Sequence, residues 1–216
     1  DIKLGLIMID VNQQKLKKAY SFLKKNYPSA SIVKFLIDIT SEKKVQNLSK
    51  ILQKKNIFIR TLINNACIDP KPQKTINKKS LILKSWDREL DVGLKGSYYL
   101  IEYFSQDMKK NKNGCIINIA SDLSIIAPNQ SIYKSSFKNF KKPVTYSVIK
   151  HGLIGMTKYY AALLAEYNIT CNAISPVGIF NNQNKKFNKK LTKLIPMKRM
   201  AKKNDIKNTI DFLVNK

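Results

Sequence analysis

The feature that most constrains the fold is a regular alternation of short apolar runs with amphipathic segments. The apolar runs have the length of buried strands, and the amphipathic segments repeat at helical spacing. Strands are predicted at residues 4–11, 31–39, 59–66, 114–121 and 169–176, helices at 12–27, 41–55, 85–108, 146–167 and 204–215, and irregular segments at 122–143 and 181–190. Apolar strands that alternate with helices are typical of a parallel sheet with helices on both faces. We therefore predict an α/β fold built on a doubly wound parallel sheet, in a single domain over residues 1–216.

The ends of the predicted strands carry the candidate site residues. In sheets of this kind, ligands bind beyond the carboxyl ends of the strands. The residues at those ends are Asp10, Asp38, Asn64–Ala66, Ser121 and those from Pro176 onward. We expect these residues to lie along one edge of the sheet.

A tyrosine and a lysine open the helix predicted at 146–167. Tyr146 and Lys150 are four residues apart, so a helix places them on one face. The pKa of tyrosine is ordinarily about 10, and a neighbouring ammonium lowers it by stabilising the phenolate. Tyr146 would then exchange a proton with a substrate oxygen, while Ser121 holds that oxygen by a hydrogen bond. Alone, such a pair is more often a solvated surface pair, and only the motifs around it favour the catalytic interpretation.

Four motifs follow one another in a fixed order. They are NNA at Asn64–Ala66, IINIAS ending at Ser121, YSVIK at Tyr146–Lys150, and NAISPVG at 172–178. Together they resemble the short-chain dehydrogenase/reductase family, from about residue 4 to 215. The resemblance implies a Rossmann-like sheet and an oxidoreductase that interconverts a secondary alcohol and a ketone. It also implies that Ser121, Tyr146 and Lys150 are the catalytic residues.

The same resemblance implies a nicotinamide cofactor. Asp10 would accept hydrogen bonds from the adenosine ribose and repel a 2′-phosphate, which favours NAD over NADP. Asp10 has a second, compatible role as the N-cap of the helix at 12–27. The other implied contacts are Asp38 and Ile39 at the adenine, Asn64 and Ala66 along the cofactor, Tyr146 and Lys150 at the nicotinamide ribose, and Pro176, Gly178 and Ile179 beside the nicotinamide.

The sequence departs from the family at several positions. None of its 7 glycines forms the TGxxxGxG loop, and the family's first and last strands have no counterpart. Gly93 stands where members usually have the asparagine of the catalytic tetrad, and Cys67 and Val177 replace glycines. These departures leave two alternatives open, a fragment of a longer enzyme or a degraded gene, and we favour the fragment. They also leave open a non-catalytic member that binds only a nucleotide or a partner.

The segment between Ser121 and Tyr146 is longer than in most members, with 25 positions from one residue to the other. Extra segments beside a site can form a substrate wall or a lid. The stretch IASDLSIIAPNQSIYK, with KPVTYSVIKHGLIGMTKY after it, is similar to oxidoreductases of the flagellin-modification type. That similarity makes a sugar derivative in surface-glycan biosynthesis a candidate substrate.

Charge and cysteines bear on the partners. The net charge of +26 comes from 40 Lys and Arg against 14 Asp and Glu, spread along the whole chain. Because the charge forms no patch, we favour compositional bias over a nucleic-acid partner. The three cysteines have no metal-ligand spacing, and no apolar run has the length of a membrane span. We expect a cytoplasmic protein without a metal, a small-molecule substrate, and a homodimer or homotetramer built on the two long helices.

Overall fold

A computed structural model describes residues 5–70, 79–137 and 140–215, so the first residue of the strand predicted at 4–11 lies outside it. Its strands are β1 (Gly5–Asp10), β2 (Ser31–Leu36), β3 (Thr61–Asn64), β4 (Gly114–Ile119) and β5 (Ile169–Ile174). Its helices are α1 (Gln13–Asn26), α2 (Glu42–Lys54), α3 (Lys79–Leu90), α4 (Gly96–Asn111), α5 (Gln130–Ser136), α6 (Val144–Leu164), α7 (Lys185–Leu194) and α8 (Lys203–Val214). Each strand predicted from the sequence is present, with bounds that are one to three residues shorter at one or both ends.

All strand pairs are parallel, and they form two groups. β1 pairs with β2, and β4 lies between β3 and β5. Ile116 at the centre of β4 is opposite Leu62 of β3 and Cys171 of β5. Within the described segments no strand pairing joins the two groups. The predicted α/β fold with parallel strands is therefore confirmed, but the strands form two sheets instead of one.

Helices cover both faces of β4. Its Ile116 belongs to a large core cluster with side chains of α2, α4 and α6. Its Cys115 and Ile117 belong to a second cluster, against which Ile210 and Leu213 of α8 pack. Successive residues of a strand point to opposite faces, so β4 is buried between two helical layers. This is the predicted Rossmann-like, doubly wound arrangement.

The large cluster also links the two sheets. It contains Val45, Leu48 and Leu52 of α2, and Ile7 and Ile9 of β1 pack against it. The same cluster contains Leu62 of β3. Both sheets therefore share one helical layer, and the carboxyl ends of their strands carry the candidate site residues.

The helix predicted at 85–108 is longer than its sequence pattern indicated. Helical structure begins at Lys79 and continues through a π-helical turn, Asp91–Lys95, to the end of α4 at Asn111. Gly93 lies in this turn, where a Cβ atom would be 2.5 Å from Cγ2 of Ile149 on α6. The glycine thus lets the turn and α6 approach closely.

Two segments predicted as irregular contain helices. The segment 122–143 holds a 3₁₀ turn, Asp122–Ser124, and the short helix α5. The segment 181–190 runs into α7, whose N-cap Asn184 accepts a hydrogen bond from the backbone N–H of Phe187 at 3.1 Å. The apolar residues of α7 are three or four positions apart, but five lysines among its ten residues hide the pattern. In the described part of the chain, no helix combines the length and apolar character that crossing a membrane requires.

Candidate functional site

A cleft of about 830 Å³ lies at the carboxyl ends of β4 and β5. Ser121, Tyr146 and Lys150 line it together with the segment Pro176–Ile179. The structure therefore brings together the three predicted catalytic residues. Each comes from a different place: Ser121 follows β4, while Tyr146 and Lys150 share the first turns of α6.

Tyr146 lies deep in this cleft. α6 begins at Val144, directly after Pro143, and the hydroxyl of Thr145 donates a hydrogen bond to the buried carboxylate of Glu89. This contact fixes the start of α6 and hence the direction of the Tyr146 side chain. Burial raises the pKa of Tyr146 to about 12, although a hydrogen bond with Ser121 acts to lower it.

Lys150 is only 4% exposed. Its Nζ donates to the backbone carbonyl of Ile119 at 2.6 Å and lies 5.7 Å from the ring centroid of Tyr146. Burial lowers the pKa of Lys150. The prediction that this lysine holds the pKa of Tyr146 below its ordinary value was wrong for this state, because burial of the phenol and the nearby Asp69, Cys67 and Asp122 raise the pKa, and the hydrogen bond with Ser121 does not offset them.

Ser121 is buried and lies two residues after the end of β4. Its Oγ donates to Oδ1 of Asp122 at 2.8 Å and accepts from the backbone N–H of Leu123 at 3.2 Å. Ser124, the other serine nearby, lies 3.2 Å from the hydroxyl of Ser175 and donates to the carbonyl of Ser121. Ser121 is thus the serine that lines the cleft beside Tyr146.

The site also contains two charged residues that the sequence reasoning did not single out, Lys142 and Asp69. Lys142 forms an ion pair with Asp69, which follows β3. The Nζ atom of Lys142 lies 3.6 Å from the ring centroid of Tyr146. The only sequence signal for Lys142 is its position four residues before Tyr146, and the abundance of lysine conceals it.

The predicted adenosine contacts lie at the ends of β1 and β2. Oδ1 of Asp10 accepts from the backbone N–H of Asn12 at 2.7 Å, and Asn12 itself caps α1. The alternative that Asp10 is the N-cap was therefore wrong. Burial would raise the pKa of Asp38, but hydrogen bonds from Arg88 and Thr40 outweigh it and hold the pKa below its ordinary value. The side chain of Ile39 is in the core, which leaves its backbone for a ligand.

The predicted contacts nearer the nicotinamide lie at the ends of β3 and β5. Asn64 is buried and donates to Oδ1 of Asn118 at 2.8 Å, with Ala66 two residues further along. Pro176 and Gly178 line the cleft, and the carbonyl of Ile179 accepts from Gln183 at 2.6 Å. All of these residues lie at the carboxyl ends of strands, as predicted.

An unpaired oxygen of Asn64 bears on whether these residues fit a nicotinamide cofactor. The side-chain oxygen of Asn64 is buried and has no hydrogen-bond partner among the described residues. Buried acceptors are almost always paired, so an oxygen of this kind suits an amide or hydroxyl donor of a bound ligand. Asn64 offers such an acceptor at the end of β3, but it does not line the cleft, whereas its neighbour Asn65 does. The 216-residue sequence contains no TGxxxGxG loop for the pyrophosphate, so the described residues fit the cofactor only in part.

The position of the tetrad asparagine is closed to any side chain. Gly93 is buried, and a Cβ atom there would meet Cγ2, Cγ1 and Cδ1 of Ile149 at 2.5 to 3.2 Å. The Gly93 carbonyl accepts a hydrogen bond from Ser97 at 3.2 Å. Any side chain at this position would require the side chain of Ile149 to move. Groups of three His, Cys, Asp or Glu that could hold a metal are also absent from the described residues.

The long segment between Ser121 and Tyr146 forms one wall of the cleft. α5 packs against α7, and four aromatic rings meet at this contact. Their centroids are 5.3 to 6.1 Å apart, and the rings belong to Tyr133, Phe137, Phe140 and Phe187. All four residues line the cleft, so the segment forms a wall, one of the two roles expected for it.

Comparison with known proteins identifies related sequences along nearly the whole chain. The family model described as enoyl-(acyl carrier protein) reductase matches residues 4–216. The short chain dehydrogenase/reductase dpfgG of Gibberella zeae is 32% identical over 182 residues, which cover 83% of this chain and 62% of the relative. The 3-oxoacyl-(acyl carrier protein) reductase FabG of Rickettsia bellii is 31% identical over 221 residues, which cover 99% of this chain and 81% of the relative.

Solved structures share the fold. A 3-oxoacyl-(acyl carrier protein) reductase from Brucella melitensis with bound NAD has a TM-score of 0.79 at 22% identity, and the match covers 98% of this chain and 75% of that one. ElxO with bound NADP has a TM-score of 0.75 at 23% identity, with coverage of 97% and 81%. The chain spans less than two thirds of the length of the Gibberella relative, 62%. From the family match and the Rickettsia relative together, the chain belongs to the short-chain dehydrogenase/reductase family of oxidoreductases.

Proposed function

We propose that the chain is the catalytic part of an NAD(H)-dependent oxidoreductase that interconverts a secondary alcohol and a ketone. The observation that carries this proposal is the meeting of Ser121, Tyr146 and Lys150 in one cleft at the carboxyl ends of the strands. These residue types can bind a carbonyl oxygen and exchange a proton with it. The family match supports the same class of reaction.

The proposed chemistry divides between the cofactor and the chain. A bound nicotinamide would supply the hydride for the carbonyl carbon and would take it up in the reverse direction. Tyr146 gives its hydroxyl proton to the carbonyl oxygen during reduction and takes a proton from the alcohol during oxidation. Ser121 turns its hydroxyl from Asp122 to the same oxygen, and Lys150 holds a positive charge near the phenolate that forms.

We propose NAD in preference to NADP, because Asp10 ends β1, where an acid would accept hydrogen bonds from the ribose hydroxyls and repel a 2′-phosphate. Of the similar structures, the Brucella reductase holds NAD and ElxO holds NADP, so their likeness supports a nicotinamide dinucleotide without choosing between the two. The three cysteines are free, as in most cytosolic proteins, which supports the cytoplasmic location.

The substrate proposal rests on the aromatic wall. Rings of Tyr133, Phe137, Phe140 and Phe187 favour a substrate that presents an apolar face beside its reacting carbon. A sugar derivative meets this requirement through the C–H face of its ring, and the similarity of the segment 119–134 to flagellin-modification enzymes supports it. A 3-oxoacyl chain meets it as well, and the Rickettsia relative is named for that substrate.

A second candidate function has its own support. Gly93 leaves no room for the tetrad asparagine, and the pyrophosphate loop has no counterpart in the sequence. A member with these features could bind nucleotide or a partner without turnover. Nucleotide binding without any reaction would favour this candidate.

The test measures reduced-nicotinamide absorbance with the purified chain, NADH or NADPH, and a panel of ketones. The panel contains a keto-sugar nucleotide, a 3-oxoacyl thioester and an aryl ketone. We expect NADH oxidation with at least one of them, and faster than NADPH oxidation. If calorimetry detects nucleotide binding but no ketone is reduced, the non-catalytic candidate replaces the enzyme.

A further inference from the structure

We propose that Lys142 is a positioning residue for proton transfer, whose ammonium lies over the Tyr146 ring and stabilises the phenolate. This inference rests on the proposed function, because it concerns the residue that we assign as the proton donor. It gives the long segment after Ser121 a second role beside that of a wall.

The geometry of Lys142 is that of a cation–π contact. Its Nζ lies 3.6 Å from the ring centroid of Tyr146, whereas Nζ of Lys150 is 5.7 Å away. Cations within about 6 Å of an aromatic centroid are attracted by the ring, and more strongly when they are desolvated. The side chain of Lys142 is only 9% exposed, so water screens the contact weakly.

The contact gains strength when Tyr146 loses its proton. A phenol ring offers Lys142 only a quadrupole, but a phenolate offers a full negative charge spread over the oxygen and the ring. An interaction that is stronger in the charged form favours proton release. Lys142 therefore assists the step in which Tyr146 donates its proton to the substrate.

Two contacts hold Lys142 in this position. Its ammonium pairs with Asp69, on the segment that follows β3. The side chain of Gln130, at the start of α5, bonds to both backbone groups of Lys142. The Gln130 amide donates to the Lys142 carbonyl at 3.0 Å, and the Lys142 N–H donates to Oε1 of Gln130 at 3.0 Å. The long segment thus folds back on itself and delivers Lys142 to Tyr146.

Other titratable groups face Tyr146 from the elements around it. They are Cys67, Asp69, Asp122, Tyr133, Lys142 and Lys150. Burial and then Asp69, Cys67 and Asp122 raise the pKa of Tyr146. Removal of the Lys142 charge would leave Lys150, the more distant cation, to oppose them.

The test titrates Tyr146 directly in the full chain. Protein labelled with fluorotyrosine is followed by fluorine NMR, since ring fluorination moves the phenol titration to lower pH, and the Tyr146 signal is the one absent from Tyr146→Phe. We expect Lys142→Met to raise the midpoint by about one pH unit, because the phenolate loses the attraction of a full positive charge whereas the phenol loses only a contact with its ring quadrupole. Lys142→Arg, which keeps the charge, should titrate like the wild type.

Lys141→Met is the matched control, because it removes the same charge from the adjacent, exposed residue. It should leave the midpoint unchanged. If Lys142→Met does not fold, as judged by circular dichroism, Lys142→Gln is titrated instead with the same expectation. An unchanged midpoint in the folded Lys142 variant, or an equal shift in Lys141→Met, would overturn the inference.

The pH profile of kcat/KM then separates this inference from the proposed function. In an active enzyme, the Tyr146 limb of the profile should move upward in Lys142→Met by the same amount as the NMR midpoint. A shifted midpoint in a protein that reduces no ketone would leave the role of Lys142 intact and reject the proposed function. Turnover with an unchanged Tyr146 midpoint in Lys142→Met would support the proposed function and reject the role of Lys142.

Discussion

Asp10 lies with its carboxylate against the backbone at the end of β1. One carboxylate oxygen, Oδ1, accepts from the N–H of Asn12 at 2.7 Å, which fixes the orientation of the side chain. The carboxylate of Asp38, at the end of β2, is by contrast held by Arg88 and Thr40. Because Asp38 is already paired with Arg88, we propose Asp10 as the acid that discriminates between NAD and NADP.

Replacement of this acid should weaken the discrimination. In Asp10→Ser we expect the ratio of kcat/KM for NADH over NADPH to fall roughly tenfold or more, because a charge-assisted hydrogen bond to the ribose is lost and repulsion of the 2′-phosphate disappears. Asp211→Ser on α8, an exposed acid paired with Lys207, is the matched control and should keep the ratio. An unchanged ratio in Asp10→Ser would exclude Asp10 as the discriminating residue.

Buried tyrosines make the fold sensitive to alkali. Burial raises the pKa of Tyr133 from 10.0 to about 12. The folded chain thus holds a proton that the unfolded chain releases, so this contribution to stability is complete below pH 10 and is lost between pH 10 and 12. The free energy of unfolding in urea should fall less steeply over this range in Tyr133→Phe than in the wild type. Identical slopes would contradict the burial of the phenol.

Local spacing explains which site residues could be predicted. Tyr146 and Lys150 share a helix face, and Ser121 lies two residues after a strand, so short patterns reveal all three. The pair of Lys142 and Asp69 joins residues 73 positions apart in the chain. No local pattern encodes such a contact, and in a chain with 40 Lys and Arg one lysine does not stand out.

At the scale of elements, the π-helical turn and α6 meet through a glycine. Gly93→Ala would place a methyl group 2.5 Å from Cγ2 of the fully buried Ile149, and we expect a loss of about 1–3 kcal/mol in the free energy of unfolding. Gly155→Ala on α6 meets nothing within 4 Å and should gain roughly 0.5–1 kcal/mol from helix propensity.

Urea denaturation of both variants measures the difference. Since the two substitutions are chemically the same, any divergence reports the surroundings of each glycine. Equal free energies of unfolding in the two variants would show that the π-helical turn and α6 are not closely packed at Gly93.

The elements found from sequence are those with strong periodicity. All five strands are apolar runs, and α1, α2 and α8 carry clear amphipathic patterns. α5 is only seven residues long, too short for a periodic pattern. α7 does carry an amphipathic pattern, but its lysine-rich composition led to the prediction of an irregular segment. Both are held by tertiary packing against each other, which a local pattern does not contain.

At the scale of the whole molecule, α4 and α6 leave apolar side chains exposed. Tyr98, Tyr159 and Leu163 are 44%, 63% and 43% exposed. These helices are the ones on which the proposed homodimer or homotetramer is built. Exposed apolar residues grouped on adjacent helices are typical of a subunit interface.

A charge placed on this face should dissociate the oligomer. We expect Leu163→Glu to lower the mass in analytical ultracentrifugation relative to the wild type, because a buried carboxylate without a partner opposes association. Phe22→Glu on α1, whose side chain is 64% exposed, is the control and should keep the wild-type mass. Wild-type mass in Leu163→Glu would exclude this interface.

The arrangement of strands was predictable only in part. Parallel pairing and helical cover follow from the apolar strands and their alternation with helices. The separation into two sheets agrees with the prediction that the family's first strand, which lies at the centre of its sheet, has no counterpart in the sequence. The order of the strands does not follow from local patterns, because it depends on contacts between distant segments. The two sheets share a helical layer but no strand pairing among the described residues.

The central claim is that Tyr146 exchanges the proton during hydride transfer, and the turnover of Tyr146→Phe tests it most directly. Tyr103→Phe is the matched control, because it removes the same hydroxyl from an exposed tyrosine of α4 that donates to Glu42. With the best ketone of the panel, we predict that kcat falls at least about a hundredfold in Tyr146→Phe, the usual contribution of a general acid, and stays near the wild-type value in Tyr103→Phe. Wild-type kcat in a folded Tyr146→Phe protein would contradict the account.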